Sequence, residues 1–235
     1  MNHVLILTHN CLEKTKKCIA SVQNQDCCAL PFVVDNDSTD GTLEWLESEH
    51  IPTYRFSPQV GVSGGWNFGL NLMFGLWGAK HVLVINNDTV LAPWTYRLML
   101  DYNAPFVTGV SFGDMEAVMT PREPSPLTPG PDFSCFIIRR EAWEKVGPFD
   151  ERMKHYYSDN DWHVRAHRAG VFLGNSHIKF YHERSSTLKL ASPEDQREIQ
   201  QQADRDRQVF YDKYGCHTWS PQYANLFLPQ PVESA

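Results

Sequence analysis

The ten residues His81 to Val90, HVLVINNDTV, join a short apolar run to an abruptly polar end. Val82 to Ile85, bounded by turn formers, reads as a buried strand. Its C-terminal end delivers two amides, Asn86 and Asn87, and one carboxylate, Asp88. In open α/β sheets the ligand crevice lies at the carboxyl ends of strands. A carboxylate there is a ready ligand for Mg²⁺ or Mn²⁺ carried by a phosphate substrate. The alternative is a polar strand-to-loop turn, for which Asn and Asp are common residues. The flanking sequence has to decide between them.

Upstream, Val4 to Leu7 reads as a first strand ending at Thr8-His9-Asn10. Residues 11 to 25 follow as a helix with an apolar stripe of Leu12, Cys18, Ile19 and Val22 and a lysine-rich outer face. Phe32 to Val34 is a second strand, ending in the loop Asp35-Asn36-Asp37-Ser38-Thr39-Asp40-Gly41. Thr42 to Glu49 is the next helix. Strand, helix, strand, helix at this spacing predicts a parallel sheet of nucleotide-binding type. The 35–41 loop is no EF-hand, because its glycine is at position seven and its twelfth residue is Leu46. Ser38, Thr39 or Asp40 serves as a helix cap. Capping does not account for Asp35, Asn36 and Asp37 crowding the strand end, whereas a base- and ribose-reading loop does. Gly61, Gly64 and Gly65 lead into a helix carrying Leu70, Met73, Phe74 and Trp77, and glycines before a helix let backbone approach a phosphate. Neither a dinucleotide fingerprint nor a Walker lysine motif is present.

Composition narrows the class. The 235 residues are 42% hydrophobic, enough for one core with an appendage. A net charge of −7 without a basic block argues against nucleic acid as a partner. The N-terminus turns polar too early for a signal peptide, and no window is apolar enough to span a membrane. Six cysteines without a C-x-x-C pair read as reduced thiols, so a cytoplasmic location is expected.

Downstream, Pro93 to Asp101 is a helix and Phe106 to Val110 a strand. The five prolines between residues 114 and 132 mark a loop, either a flap over an acceptor site or a linker. Phe133 to Arg139 returns to strand, and Glu141 to Val146 is a helix stopped by Gly147-Pro148. Tyr156-Tyr157-Ser158-Asp159-Asn160-Asp161-Trp162 then opens a helix running to Gly170. Its two acids are either capping charges or a general base at the mouth of a site. His163 and His167 lack the glutamate of a zinc-protease motif and read as surface residues. Val171 to Leu173 and Ile178 to Tyr181 read as the last two strands, the final one followed by His182. Residues 192 to 213 form a polar outer helix docked by Ile199, Val209 and Phe210, and the aromatic tail beyond it either packs on the domain or touches a lipid-linked acceptor.

Taken in order, LILTHNCLEKTKKCIASV, VVDNDSTDGT, GVSGGWNFGL, VLVINNDTVL, FIIRREAWEKVGPFDER, YYSDNDWHVRAHRAG and FYHERSST resemble one family. The chain is similar to GT-A-fold glycosyltransferases of family 2, and within them to the rhamnosyltransferase-like branch. The resemblance covers about residues 4 to 187. It implies an α/β GT-A domain, a Rossmann-like, mostly parallel sheet flanked by helices, over residues 1–190. The nucleotide-binding half would be about 1–112 and the acceptor half about 113–190, with a C-terminal helix and tail (191–235) packed on it. It implies inverting transfer of a hexose or deoxyhexose from a UDP-, GDP- or TDP-sugar to a hydroxyl of a glycan or glycoconjugate. Thr8, Asn10, Asp35, Asn36 and Asp37 would line the nucleotide pocket, joined by Gly65, Asn67, Asn86 and Asn87 around the nucleotide-sugar. Asp88, last in the D-x-D-type position, and His182 would hold Mn²⁺ or Mg²⁺. Asp159 matches the family's base, with Asp161 the other candidate and Ser158 standing where the family has glutamate. A catalytically inactive nucleotide- or glycan-binding module is the alternative from another class. A sugar-nucleotide nucleotidyltransferase would want a basic Gly-rich loop where this chain has THNCLEK.

Overall fold

The computed structural model describes residues 1–121, 123–182 and 193–228. A mixed, mostly parallel and curled sheet runs through the molecule with helices on both faces. In chain order the elements begin with β1 (Asn2–Thr8), α1 (Leu12–Gln23), β2 (Ala29–Asn36), α2 (Thr42–Ser48), β3 (Thr53–Phe56) and α3 (Gly61–Asn71), the last running into a π-helical turn at Leu72–Leu76. They continue with β4 (His81–Asn86), β5 (Thr89–Val90), α4 (Thr95–Asp101), β6 (Phe106–Phe112), α5 (Met115–Val118), β7 (Thr128–Pro129), β8 (Cys135–Arg139) and α6 (Arg140–Val146). The last are α7 (Ser158–Arg168), β9 (Leu173–His182), α8 (Pro193–Tyr214) and α9 (Pro221–Asn225). The strand order is β3-β2-β1-β4-β8-β6-β9-β5, with β7 on β9.

Strand alternation explains the two-sided core. Leu5, Leu7, Val82 and Val84 point to the face covered by α3, α6 and α7, whereas Val4, Ile6, Leu83 and Ile85 meet α1, α2 and α4. Both faces are buried, so the strands read as unbroken apolar runs. Strand β8 is antiparallel to β4 and β6, with Ile85 opposite Cys135. The start of β8 therefore lies where β4 ends.

Four sequence expectations change. Thr53–Phe56 is an edge strand, an element the sequence reading does not include. Residues 171–182 hold one strand, not two, with left-handed His177 and a register shift opposite Thr108/Val110 interrupting its alternation. The proline-rich segment is tied down: β7 pairs with Gly174 and Asn175, and the Tyr102 hydroxyl donates to Ser125 O at 2.7 Å. His163 is partly covered by the tail, its ring 4.6 Å from that of Phe227, whereas His167, 5.3 Å from the same ring, stays exposed as expected. Of the tail aromatics, Tyr223 and Phe227 pack on α7, while Trp219 is exposed. Among the described residues no helix is long and apolar enough to cross a membrane.

Candidate active site

Strands β2, β1 and β4 end side by side, with Thr8 opposite Asp35 and Leu7 opposite Asn86. Their loops are bound into one unit. The Asn87 amide nitrogen reaches Thr8 Oγ1 (2.9 Å), Thr15 Oγ1 (3.1 Å) and Asn10 O (3.2 Å). Asn10 N donates to Ser38 Oγ, and Asn10 Oδ1 accepts from Thr39 N, both at 2.8 Å. Asp40 caps α1 from the neighbouring loop, accepting from Leu12 N at 2.9 Å. Gly41 turns into α2 with φ 88°, a conformation that favours glycine.

The structure brings Thr8, Asn10 and Asn87 together and sets Asn36 beside them. Asn36 Oδ1 accepts from Val60 N (2.8 Å), and its carbonyl meets His9 Nδ1 (2.8 Å). Asp35 is fully buried. Its carboxylate accepts from the Ser38 hydroxyl and faces Arg55 Nε at 3.8 Å. Asp37 pairs with the same arginine at 3.2 Å. Asn86 contributes backbone, its N–H donating to Ser134 O at 3.1 Å.

Asp88 and His182 meet although 94 positions separate them (182 − 88). Thr89 pairs with His182 in the β5–β9 ladder, and Asp88 Oδ1 lies 3.2 Å from His182 Nε2. Both side chains keep some surface, 13% and 14%. A carboxylate oxygen and an imidazole nitrogen suit Mn²⁺ or Mg²⁺. Two donors about 2.1 Å from one octahedral ion, at right angles, sit about 3 Å apart, and this pair matches. Among the described residues no third His, Cys, Asp or Glu completes a cluster.

Asp159 stands in the first turn of α7. The helix is aimed by Trp162, which is fully buried between Phe106 and Phe149, its ring 5.2 and 5.7 Å from theirs, and donates to Gly147 O at 2.9 Å. Asp159 keeps part of its surface open although protein surrounds most of its carboxyl. That burial raises its pKa above the ordinary carboxylate value. The Asn160 N–H pulls the other way, and the nearby charge of Asp132 adds to the rise. Asp132 precedes β8 and so lies at the end of β4, its N–H 3.3 Å from Thr108 Oγ1.

Asp161 is placed differently. It is fully buried and held by Arg165 Nε (2.8 Å), Lys213 Nζ (2.6 Å) and the Tyr214 hydroxyl (2.7 Å). Its carboxylate fastens α8 to α7. Gly65 and Asn67 also lie inside packed structure. Gly65 is within α3, where an added Cβ would fall 2.4 Å from Leu7 Cδ1. The glycine stretch thus lets a helix settle on the sheet and is not a loop ahead of a helix. Asn67 is buried, bridging Phe149 N and O at 2.8 and 2.9 Å.

The sequence reading missed His9, Arg55, Asp132 and Asp206. Arg55 sits in the unread edge strand, and Asp132 is hidden among prolines. Asp206 is fully buried and accepts the successive N–H groups of Lys154 (3.1 Å), His155 (2.9 Å) and Tyr156 (3.0 Å). Its signal was the stripe Gln202, Asp206, Phe210 at helical spacing.

Comparisons with known proteins follow this geometry. Residues 3–115 match the model described as glycosyl transferase family 2. No curated protein matches the chain in sequence. Among solved structures, TarS of S. aureus superposes with a TM-score of 0.62 at 16% identity, covering 96% of this chain and 41% of TarS. This chain therefore spans less than half of that protein. The mannosyltransferase PcManGT from Pyrobaculum calidifontis, in complex with GDP-Man and Mn²⁺, gives 0.58 at 16% identity over 96% of this chain and 67% of its own. Glucosyl-3-phosphoglycerate synthase from Mycobacterium tuberculosis, in complex with Mn²⁺, UDP and glucosyl-3-phosphoglycerate, gives 0.63 at 13% identity over 93% of this chain and 81% of its own. The sheet order, the helices on both faces and these superpositions show that the chain has the GT-A glycosyltransferase fold, its first half matching the family 2 model.

Proposed function

We propose that the chain is an inverting glycosyltransferase that moves a sugar from a nucleoside-diphosphate sugar to a hydroxyl of a glycan or glycoconjugate acceptor. The observation that carries this reading is the Asp88–His182 pair at one sheet edge, with the half-buried Asp159 of raised pKa in the first turn of α7. Asp88 and His182 would hold Mn²⁺ or Mg²⁺, which when bound offsets charge on the departing diphosphate. The 8–10, 35–38 and 86–87 segments would seat the nucleotide and sugar. Within them His9, Asn10 and Asp37 keep surface toward solvent, as does Arg55 on the neighbouring β3.

Asp159 would take the proton from the acceptor hydroxyl as its oxygen bonds to the anomeric carbon. The bond from that carbon to the diphosphate oxygen breaks on the opposite side, and its electrons leave with the diphosphate. One displacement inverts the centre. The raised pKa suits a carboxylate to this role by making it a stronger base. Nucleotide complexes among the structural neighbours, such as those with GDP-Man and with UDP, are in keeping with such a donor.

Calorimetric titration with UDP, GDP and TDP, each with Mn²⁺ and again with chelator, tests the donor site. Binding of one nucleotide that needs the metal supports the reading and names the base. Binding of none by folded protein overturns the donor-site assignment and favours the inactive glycan-binding module.

A further inference from the structure

An open depression lies away from the strand ends. Arg152, Lys154, Gln202, Arg205, Gln208 and Val209 line a groove of about 630 Å³ between the 150–157 loop and α8. That size falls within the roughly 300–1,000 Å³ of small-molecule sites. Three of its six lining residues are cationic, in a chain whose net charge is −7.

The carboxylates nearby already have partners, among them the lining residues Arg152, Gln202 and Gln208. Asp150 pairs with Arg152 (2.7 Å) and Lys213 (3.0 Å). Asp204 pairs with Arg207 at 2.9 Å, and Asp212 accepts from Gln208 at 2.7 Å. Asp206 accepts the backbone of residues 154–156. Lys154 and Arg205 form no ion pair with a carboxylate among the described residues.

The Arg205 guanidinium is held in place, and the backbone that carries the exposed Lys154 is fixed. Asp206 fixes the Lys154 backbone and accepts from Gln202 Nε2 at 2.6 Å, and Gln202 Oε1 in turn receives Arg205 Nη2 at 2.8 Å and Nε at 3.1 Å. One buried carboxylate therefore organises both walls of the groove. A fixed guanidinium and an ammonium recognise an oxyanion, while the glutamine amides and the Val209 side chain suit a sugar ring. We infer that this groove binds an acidic sugar, one bearing a carboxylate or a phosphate. The same loop leads from Lys154 to Asp159, so the groove would hold a charged residue of the acceptor. That last step rests on the glycosyltransferase reading, whereas the binding itself does not.

The full chain is titrated in EDTA with a glucuronate-containing tetrasaccharide, with glucose 6-phosphate and with neutral maltotetraose. Saturable binding of either acidic probe, weaker at higher salt and absent for the neutral one, is the expected result, and the probe that binds identifies the anion. Lys154→Glu and Arg205→Glu together should weaken it by about tenfold or more, and Lys154→Gln with Arg205→Gln less. Circular dichroism and retained Mn²⁺-dependent nucleotide binding show that the variants fold. Asp88→Asn should leave acidic-probe binding unchanged. No binding of either acidic probe, equal binding of the neutral one, or undiminished binding by the folded charge-reversed protein overturns the site. The nucleotide titration reports separately on the donor site.

Discussion

Asp206 Oδ2 accepts the backbone N–H of His155 at 2.9 Å, across a gap of 51 positions in sequence. With the bonds to Lys154 and Tyr156 it makes α8 the scaffold of the loop that leads to Asp159. Asp206→Ala leaves three N–H groups without that acceptor. A loss of about 3 kcal/mol is expected, read as a lower midpoint in urea. Asp206→Asn should lose less, since its carbonyl oxygen still accepts. An unchanged midpoint in the alanine variant would refute the scaffold role.

Asp159→Asn should lower transfer by roughly 10²- to 10⁴-fold while nucleotide binding persists. Its stability effect has the opposite sign. A carboxyl whose pKa is raised by folding binds its proton more tightly in the native state, so stability falls as pH rises through the ordinary carboxylate range toward the raised value. Above that window the charged form burdens the fold, and the amide removes the burden. Tm at pH 7 should rise in the variant, each kcal/mol reading as about 2–4 °C for a chain of this size. The gain should vanish in acid.

Asp88→Ala should abolish the Mn²⁺ dependence of nucleotide binding, and His182→Ala should weaken it. Calorimetry with and without chelator checks both. Metal dependence surviving in Asp88→Ala would move the metal site elsewhere.

Gly65→Ala separates packing from phosphate contact. The added methyl group meets Leu7, so a loss of about 1–3 kcal/mol is expected with nucleotide affinity unchanged in the folded protein. Weaker nucleotide binding at unchanged stability would restore the glycine to the donor site.

His163 reports on the tail. Burial, with the neighbouring His167 charge, lowers its pKa to about 4 from an ordinary 6.5. Between those values the unfolded chain binds the proton and the folded one does not. The stability from this site is therefore present above pH 6.5 and lost as pH falls toward 4. The hydrogen-exchange protection of residues 221–228, taken relative to the intrinsic rate at each pH, should fall as pH drops through that window, and His163→Leu should remove the dependence.

Much of the sheet was legible because β1, β2 and β4 are buried on both faces and read as continuous apolar runs. Strand β3 escaped notice because a four-residue edge strand buries little. The reversal of β8 was hidden too, since strand direction is set by connections and not by side-chain pattern. The glycines of α3 misled because low helix propensity was overridden by close helix-on-sheet contact. Of the candidate residues, Asp88 and His182 are brought together by the β5–β9 ladder, a juxtaposition no local pattern encodes. Asp161 and Asp159 look alike in sequence, and only the partners on α8 distinguish them.

Strand β6 belongs to the first half of the polypeptide, yet both its neighbours in the sheet, β8 and β9, come from the second. Neither half is thus a self-sufficient cassette. A chain cut after residue 113 would leave β6 with no strand to pair with and β8 without β4. The two fragments should therefore acquire structure only on each other, as a complementing pair, and the intact protein should unfold in one cooperative transition.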